Sequence, residues 1–336
     1  MAWNLNMSPQ DAPPMAPPLD PDAARLLQLA RQAGYPPFEA LTPQQARKAY
    51  IASCPALQSP GGEVLDVHEE VIEGPGGPLR LRIYQGAMPD PKRAVGGLLY
   101  LHGGGWTIGN LDTHDALCRQ IARQAQLCVV AVDYRLAPEH PFPAALDDAA
   151  CALRWLHAQA DRWAISTQAL GVAGDSAGGN LAAALALMAR DGTVPALSCQ
   201  ALIYPVLDLT AGCASYRRVT RDALLTDQTM HWFIAQYTPQ AEHRLDWRAS
   251  PLRAASLRGL APALVLTVAH DPLCDEGRAY AERLNEEGVR VAALHLNDQF
   301  HGLLGQSGVI PAGQVMTGFM AQWLAHELRR GLPPAR

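Results

Sequence analysis

The chain has 336 residues, of which 49% are hydrophobic, and a formal charge of −5. Apolar content of this order supports a large core and excludes a disordered chain. The acidic balance leaves no basic excess to neutralise phosphates, which argues against a nucleic-acid partner.

Residues 1–22 hold six prolines and three acids and read as extended coil. They carry neither the basic stretch nor the apolar stretch of a signal peptide. Asp20-Pro21 then predicts a helix start, with Gly34 as its stop. Thr42-Pro43, with Gln45 three residues on from Thr42, predicts a second helix opened by a capping box. Both helices precede any strand, so 23–60 reads as an appendage to the main fold.

The first strands, 64–72 and 79–84, alternate. Leu79, Leu81 and Ile83 point one way, Arg80 and Arg82 the other, and the PGGP at 75–78 is the turn of an antiparallel pair. The pattern then changes to short apolar runs at 95–101, 127–132, 170–173, 199–204, 263–269 and 289–296, separated by helix-length segments. Apolar strands alternating with amphipathic helices predict an α/β fold, a mostly parallel sheet covered on both faces, with its ligand site beyond the carboxyl ends of the strands. The stretch 206–262 is longer than a plain crossover and holds a predicted helix over 222–237, so it reads as an insertion at that same edge. The catalytic body is then 61–205 with 263–336.

Four strand ends carry residues of catalytic type. After 95–101 comes His102-Gly103-Gly104-Gly105-Trp106, whose bare glycine N–H groups suit a developing oxyanion. His102 is read as a hydrogen-bonder that holds this loop. After 170–173 comes Gly174-Asp175-Ser176-Ala177-Gly178 and then a helix, a Gly-x-Ser-x-Gly turn that pushes the serine hydroxyl out above the sheet. The N–H of Ala177 stands at the helix N-terminus, where donors are unpaired. After 263–269 comes Asp271, with Asp275 and Glu276 as second choices for the same role, and after 289–296 comes His301 in Phe300-His301-Gly302. The chain order Ser176, Asp271, His301 is the triad order of an α/β-hydrolase.

The seven cysteines (Cys54, Cys118, Cys128, Cys151, Cys199, Cys213 and Cys274) form no CxxC pair, which predicts reduced thiols in a cytoplasmic protein. No Cys or His cluster has metal-ligand spacing, and no apolar run reaches the ~18 residues that span a bilayer.

Together HGGGW at 102–106, YRLAPEHPFPAALDD at 134–148, GDSAGGN at 174–180, DPLCDEG at 271–277 and FHG at 300–302 resemble the hormone-sensitive-lipase-like family of bacterial α/β-hydrolase esterases, in the subgroup with the GDSAG elbow. The resemblance spans roughly 60–330. It implies a cap made from the N-terminal helices and the 206–262 insertion. It implies Ser176 as nucleophile, Asp271 as acid, His301 as base, and Gly103, Gly104 and Ala177 as the oxyanion hole. A capped, walled pocket predicts a short acyl ester as substrate, and the triad chemistry requires no metal or organic cofactor. Members of the subgroup often form homodimers. The chain departs from the family pattern at Cys274, where arginine is common, and at Leu303, where an aromatic is common.

Trp106, Leu207, Met230, Trp232 and Phe233 are candidates for the pocket wall. An amidase, deacetylase or lactone hydrolase would use the same triad. A non-catalytic receptor on this fold, like the plant gibberellin receptor, lacks the histidine that His301 supplies here.

Overall fold

Asp20 caps α1 (Pro21–Ala33) as expected. Its carboxylate accepts from the N–H groups of Asp22 and Ala23, and Gly34 ends the helix in the left-handed conformation. Thr42 and Gln45 complete the capping box of α2 (Pro43–Leu57). The computed structural model describes residues 17–88, 94–219 and 223–332, so residues 1–16 of the proline-rich segment lie outside the described residues.

Eight strands among the described residues form one sheet: β1 (Asp66–Gly74), β2 (Gly77–Gln85), β3 (Val95–Leu101), β4 (Cys128–Val132), β5 (Ile165–Asp175), β6 (Cys199–Ile203), β7 (Ala263–His270) and β8 (Val291–Phe300). Their order is β1-β2-β4-β3-β5-β6-β7-β8. β1 and β2 make the expected antiparallel hairpin, β2 runs antiparallel to β4, and every pair from β4 to β8 is parallel.

Successive side chains of a strand point to opposite faces. In β3, Leu99 and Leu101 join the core formed with α4 (Ala144–Ala158), α5 (Ala177–Arg190) and α8 (Cys274–Glu286). Leu98 and Tyr100 join the core formed with α3 (Asp115–Ala125) and α9 (Pro311–Arg329). Leu98, Leu99 and Leu101 are all fully buried, and each contributes roughly 1.5–3 kcal/mol relative to exposure. This two-sided burial is why the parallel strands read as continuous apolar runs.

Several boundaries differ from the sequence reading: β1 is shifted by two residues and β8 runs on to Phe300, and two differences are larger. β5 begins at Ile165, well before Leu170, because Thr167 and Gln168 are exposed strand residues whose polarity reads as loop. The insertion carries the short α6 (Ala214–Arg218) and, in place of the expected 222–237, α7 (Asp227–Tyr237). Thr226 caps it by accepting from the Thr229 N–H, which sets its start beyond the expected residue 222; that residue lies outside the described residues.

The insertion is rooted in the sheet layer at several points. The buried Asn180 amide on α5 donates to the carbonyls of Val206 (3.0 Å) and Ala249 (2.8 Å). The buried Glu276 carboxyl on α8 accepts from the N–H groups of Leu207 (2.7 Å) and Asp208 (3.4 Å). Among the described residues no helix is long and apolar enough to cross a membrane, and no group of three or more His, Cys, Asp or Glu is arranged to hold a metal ion.

Candidate active site

Strand register brings the site together. The order of strands reverses between β3 and β5, the position where open α/β sheets place their ligands. Leu101 of β3 pairs beside Gly174 of β5, so the triple-glycine loop and the serine turn leave the sheet side by side. His270 of β7 pairs beside Phe300 of β8, so Asp271 and His301 emerge as neighbours.

Ser176 adopts φ 55° and ψ −119° between the end of β5 and the first residue of α5. A non-glycine residue there is strained by about 1–3 kcal/mol and is held by its surroundings. Close packing supplies the hold: a Cβ on Gly178 would overlap the Leu101 carbonyl, and one on Gly174 would overlap the Gly178 backbone. The Ser176 N–H donates to the Ile203 carbonyl at 2.8 Å.

His301 Nε2 stands 2.9 Å from Ser176 Oγ, and His301 Nδ1 stands 2.7 Å from Asp271 Oδ2. A carboxylate only accepts, so Nδ1–H donates to Asp271 and Nε2 accepts the Ser176 hydroxyl proton. Asp271 is fully buried, and its other oxygen accepts from the Leu273 N–H at 2.9 Å. The two alternative carboxylates are engaged elsewhere. Asp275 pairs with Arg218 at 2.8 Å and accepts from the Ser215 N–H. Glu276 holds the insertion, and burial pushes its carboxyl well above the usual range, with the charges of Asp208 and Asp271 adding to the effect. Cys274 is buried and its thiol is pushed up to about 12, chiefly by that burial; Leu303 is fully buried.

The glycine loop differs from the sequence reading in one respect. Gly103 N–H donates to Asp175 Oδ1 at 3.1 Å and approaches His114 Nε2 at 3.3 Å, so it is turned away from Ser176. Gly104 and Gly105 have N–H groups with no partner among the described residues, and both line the cavity with Ser176. Gly104 has φ 113°, and a Cβ there would overlap the Ile108 carbonyl, so only glycine fits. Ala177, the first residue of α5, keeps an N–H without an acceptor in its own helix.

Asp175 is the residue that sequence reasoning overlooked. Its carboxylate accepts from Tyr100 Oη (2.8 Å) and Gly103 N–H (3.1 Å) and stands 3.2 Å from His114 Nε2. Burial would raise its pKa, but the His114 charge and the bonds from His114 and Tyr100 outweigh burial and lower it. Its place between Gly174 and Ser176 was the available signal. His102 is buried and stacks on Tyr134 with ring centroids 4.1 Å apart; its Nδ1 bonds the Gly103 carbonyl at 2.7 Å.

A cavity of about 320 Å³ opens above Ser176 and His301. Met230 and Phe233 of α7 line it, with Phe38 and with Tyr50 and Leu57 of α2. Trp106, Leu207 and Trp232 do not. Trp106 is fully buried and stacks on Tyr237 with centroids 4.2 Å apart. Leu207 is fully buried at the root of the insertion. Trp232 sits beside Phe233, edge to face at 5.0 Å, and is not among the lining residues.

Residues 98–305 match the model of a family described as having the alpha/beta hydrolase fold. The chain is 41% identical over 295 residues to the carboxylic ester hydrolase LipN of Mycobacterium tuberculosis, covering 85% of this chain and 77% of that one. It is 40% identical over 298 residues to an ethyl acetate hydrolase of Pseudomonas putida, covering 87% and 94%. Among solved structures, a hyperthermophilic esterase from Pyrobaculum calidifontis superposes with a TM-score of 0.84 at 36% identity, covering 92% of this chain and 98% of that one. The chain belongs to the alpha/beta hydrolase family, in its hormone-sensitive-lipase-like branch. It is a carboxylic ester hydrolase.

Two predictions follow from the loop supports. Asp175→Ala removes the acceptor that fixes the glycine loop, so kcat is expected to fall about 100-fold, the scale of a ~1 Å misplacement, with a much smaller change in KM. Asp175→Asn keeps one acceptor oxygen and is expected to lose less; steady-state kinetics on a soluble ester check both. The second concerns acid stability. Burial, then the neighbouring His114 charge, pulls His102 down to about 3, against about 6.5 in an unfolded chain. Between these values the unfolded state binds the extra proton, so the stability His102 contributes above pH 6.5 is lost as pH falls, by up to about 1.4 kcal/mol per pH unit. Urea unfolding at pH 7 and pH 5 is expected to show a smaller loss for His102→Phe than for the parent. An equal loss would contradict it.

Proposed function

We propose that this esterase acts through Ser176, His301 and Asp271, on small soluble esters, by way of an acyl-enzyme. The observation that carries the reading is the line from Asp271 to His301 to Ser176, at 2.7 and 2.9 Å, under a cavity bordered by free N–H groups.

In the first step Ser176 Oγ bonds to the acyl carbon while its proton passes to His301 Nε2. Asp271 keeps the imidazole in the tautomer that accepts this proton and stabilises the charge it acquires. The carbonyl oxygen becomes negative facing the N–H groups of Gly104, Gly105 and Ala177. Removing one such donor typically costs about 2.7–4 kcal/mol of barrier. Gly103 is left out of this hole because its N–H is committed to Asp175. The carbon–oxygen bond to the alcohol then breaks, and His301 returns the proton to the leaving oxygen. Water repeats the sequence on the acyl-enzyme: His301 takes its proton, the hydroxyl adds to the acyl carbon, and Ser176 leaves with the proton restored.

We further assign 23–60 and 206–262 as the two parts of a cap. Cavity walls drawn from α2 and α7 support this. A cavity of this volume with mostly apolar walls favours short acyl chains. Each accommodated methylene contributes roughly 0.8 kcal/mol until the space is filled. The relative named as an ethyl acetate hydrolase agrees with small substrates. All seven cysteines are free, which supports a cytoplasmic setting.

A series of p-nitrophenyl esters from acetate to palmitate, with matching anilides, tests the reading. Turnover is expected to peak at short chains, to be far slower on anilides, and to show no jump above the solubility limit of the ester. Ser176→Ala is expected to lose several orders of magnitude while staying folded. Faster hydrolysis of emulsified long-chain esters than of dissolved short ones would overturn the substrate assignment.

A further inference from the structure

The wall of the cavity carries a polar group that the triad does not use. Immediately after His301 the chain makes a 3-10 turn over Leu303–Gln306, entered through Gly302 at φ 89°. Gln306 ends this turn with its side chain on the cavity wall, and only 8% of the residue is exposed. Its Oε1 is buried without a hydrogen bond. Its Nε2 also has no partner among the described residues and lies close over Gly302, 3.0 Å from where a Cβ of that glycine would stand.

Buried polar groups nearly always find partners; Asn180, Gln200 and Gln299 also bury an unpaired amide oxygen, but of these four amides Gln306 alone lines the cavity. The fold does not need the amide there. The carbonyl of Gln306 already receives the N–H groups of Val309 and Ile310, so the backbone fixes the turn without the side chain. The neighbouring Ser307 shows the ordinary outcome, with its hydroxyl 2.9 Å from that of Ser59. Around Gln306 much of the cavity wall is apolar, including Phe38, Leu57, Ile108, Leu224 and Phe233.

The direction of the reaction assigns this amide to one half of the substrate. The carbonyl oxygen must face Gly104, Gly105 and Ala177. The leaving oxygen must face His301 Nε2, which returns its proton. The alcohol half therefore leaves the acyl carbon on the His301 side of the cavity, the side on which Gly302 and Gln306 stand.

We propose that Gln306 is a specificity residue that hydrogen-bonds a hydroxyl on the alcohol half, so that the preferred substrates are short acyl esters of diols or polyols. This rests on the triad reading given above. A carboxamide both donates and accepts, as a hydroxyl does. A hydroxyalkyl ester satisfies the amide when it enters, whereas the alkyl ester of the same shape expels water and leaves it unpaired. A pocket that merely adds a methylene discriminates weakly, but one with a buried polar group discriminates against the analogue that cannot pair with it.

The test compares 2-hydroxyethyl acetate with propyl acetate, which matches it in shape, using the full-length enzyme, Gln306→Leu and Gln306→Met. The ratio of kcat/KM for the two esters is the readout, because general damage to the enzyme cancels from it. The parent is expected to favour the hydroxyethyl ester by about tenfold, the worth of one hydrogen bond, and both variants to bring the ratio to one or below. A ratio that is the same in parent and variants would overturn the assignment of Gln306 and leave the esterase reading standing. Failure of the parent to hydrolyse either ester would overturn both.

Discussion

One buried carboxylate joins the two loops on which the site depends. Asp175 ends β5 and immediately precedes Ser176, yet its partners belong to other elements: Tyr100 in β3, Gly103 in the glycine loop and His114 ahead of α3. An ionised group with so little exposure persists only where donors satisfy it. Tyr100 and the Gly103 N–H donate to it here, and the His114 ring stands 3.2 Å away. The same bonds that stabilise the charge hold the glycine loop against the serine turn. They also divide the labour among three similar glycines: Gly103 is bound as an anchor, and Gly104 and Gly105 keep their N–H groups free.

The rest of the site follows from strand register. Parallel neighbours end level with one another, so residues distant in sequence leave the sheet side by side. The loops that carry Asp271 and His301 are secured from outside the sheet as well. His270 Nε2 bonds the Pro17 carbonyl at 2.8 Å, and the Asp20 N–H donates to the Asp298 carbonyl at 2.8 Å, so the segment leading into α1 crosses the ends of β7 and β8. Asn180 and Glu276 tie the insertion to helices that adjoin the loops of Ser176 and Asp271. The Ser176–His301–Asp271 cluster and the 206–262 insertion are in this way fixed to the same few elements.

The sheet was legible because its central strands are buried on both faces and read as unbroken apolar runs. The hairpin was legible because one of its faces is wet. Helix starts were legible where capping is local, as at Asp20 and Thr42. Features set by tertiary contact were hidden. The exposed start of β5 looks like loop in sequence. Nothing in the string HGGGW separates Gly103 from Gly105, since the difference arises when Asp175 arrives from another strand. Trp106 and Leu207 read as pocket walls because apolar residues near a site look alike, whether they face the cavity or the core behind it. Gln306 carries no motif, and only its surroundings mark it.

The account stands on Ser176 as the group that takes up the acyl unit, oriented by His301 and Asp271. Its most direct measurement is covalent capture. The enzyme is treated with diethyl p-nitrophenyl phosphate, digested, and mapped by mass spectrometry against residual activity. A single diethylphosphoryl group on Ser176, rising in proportion to lost ester turnover, is the predicted result. Loss of activity with the label on another residue, or with Ser176 unmodified, would contradict the account.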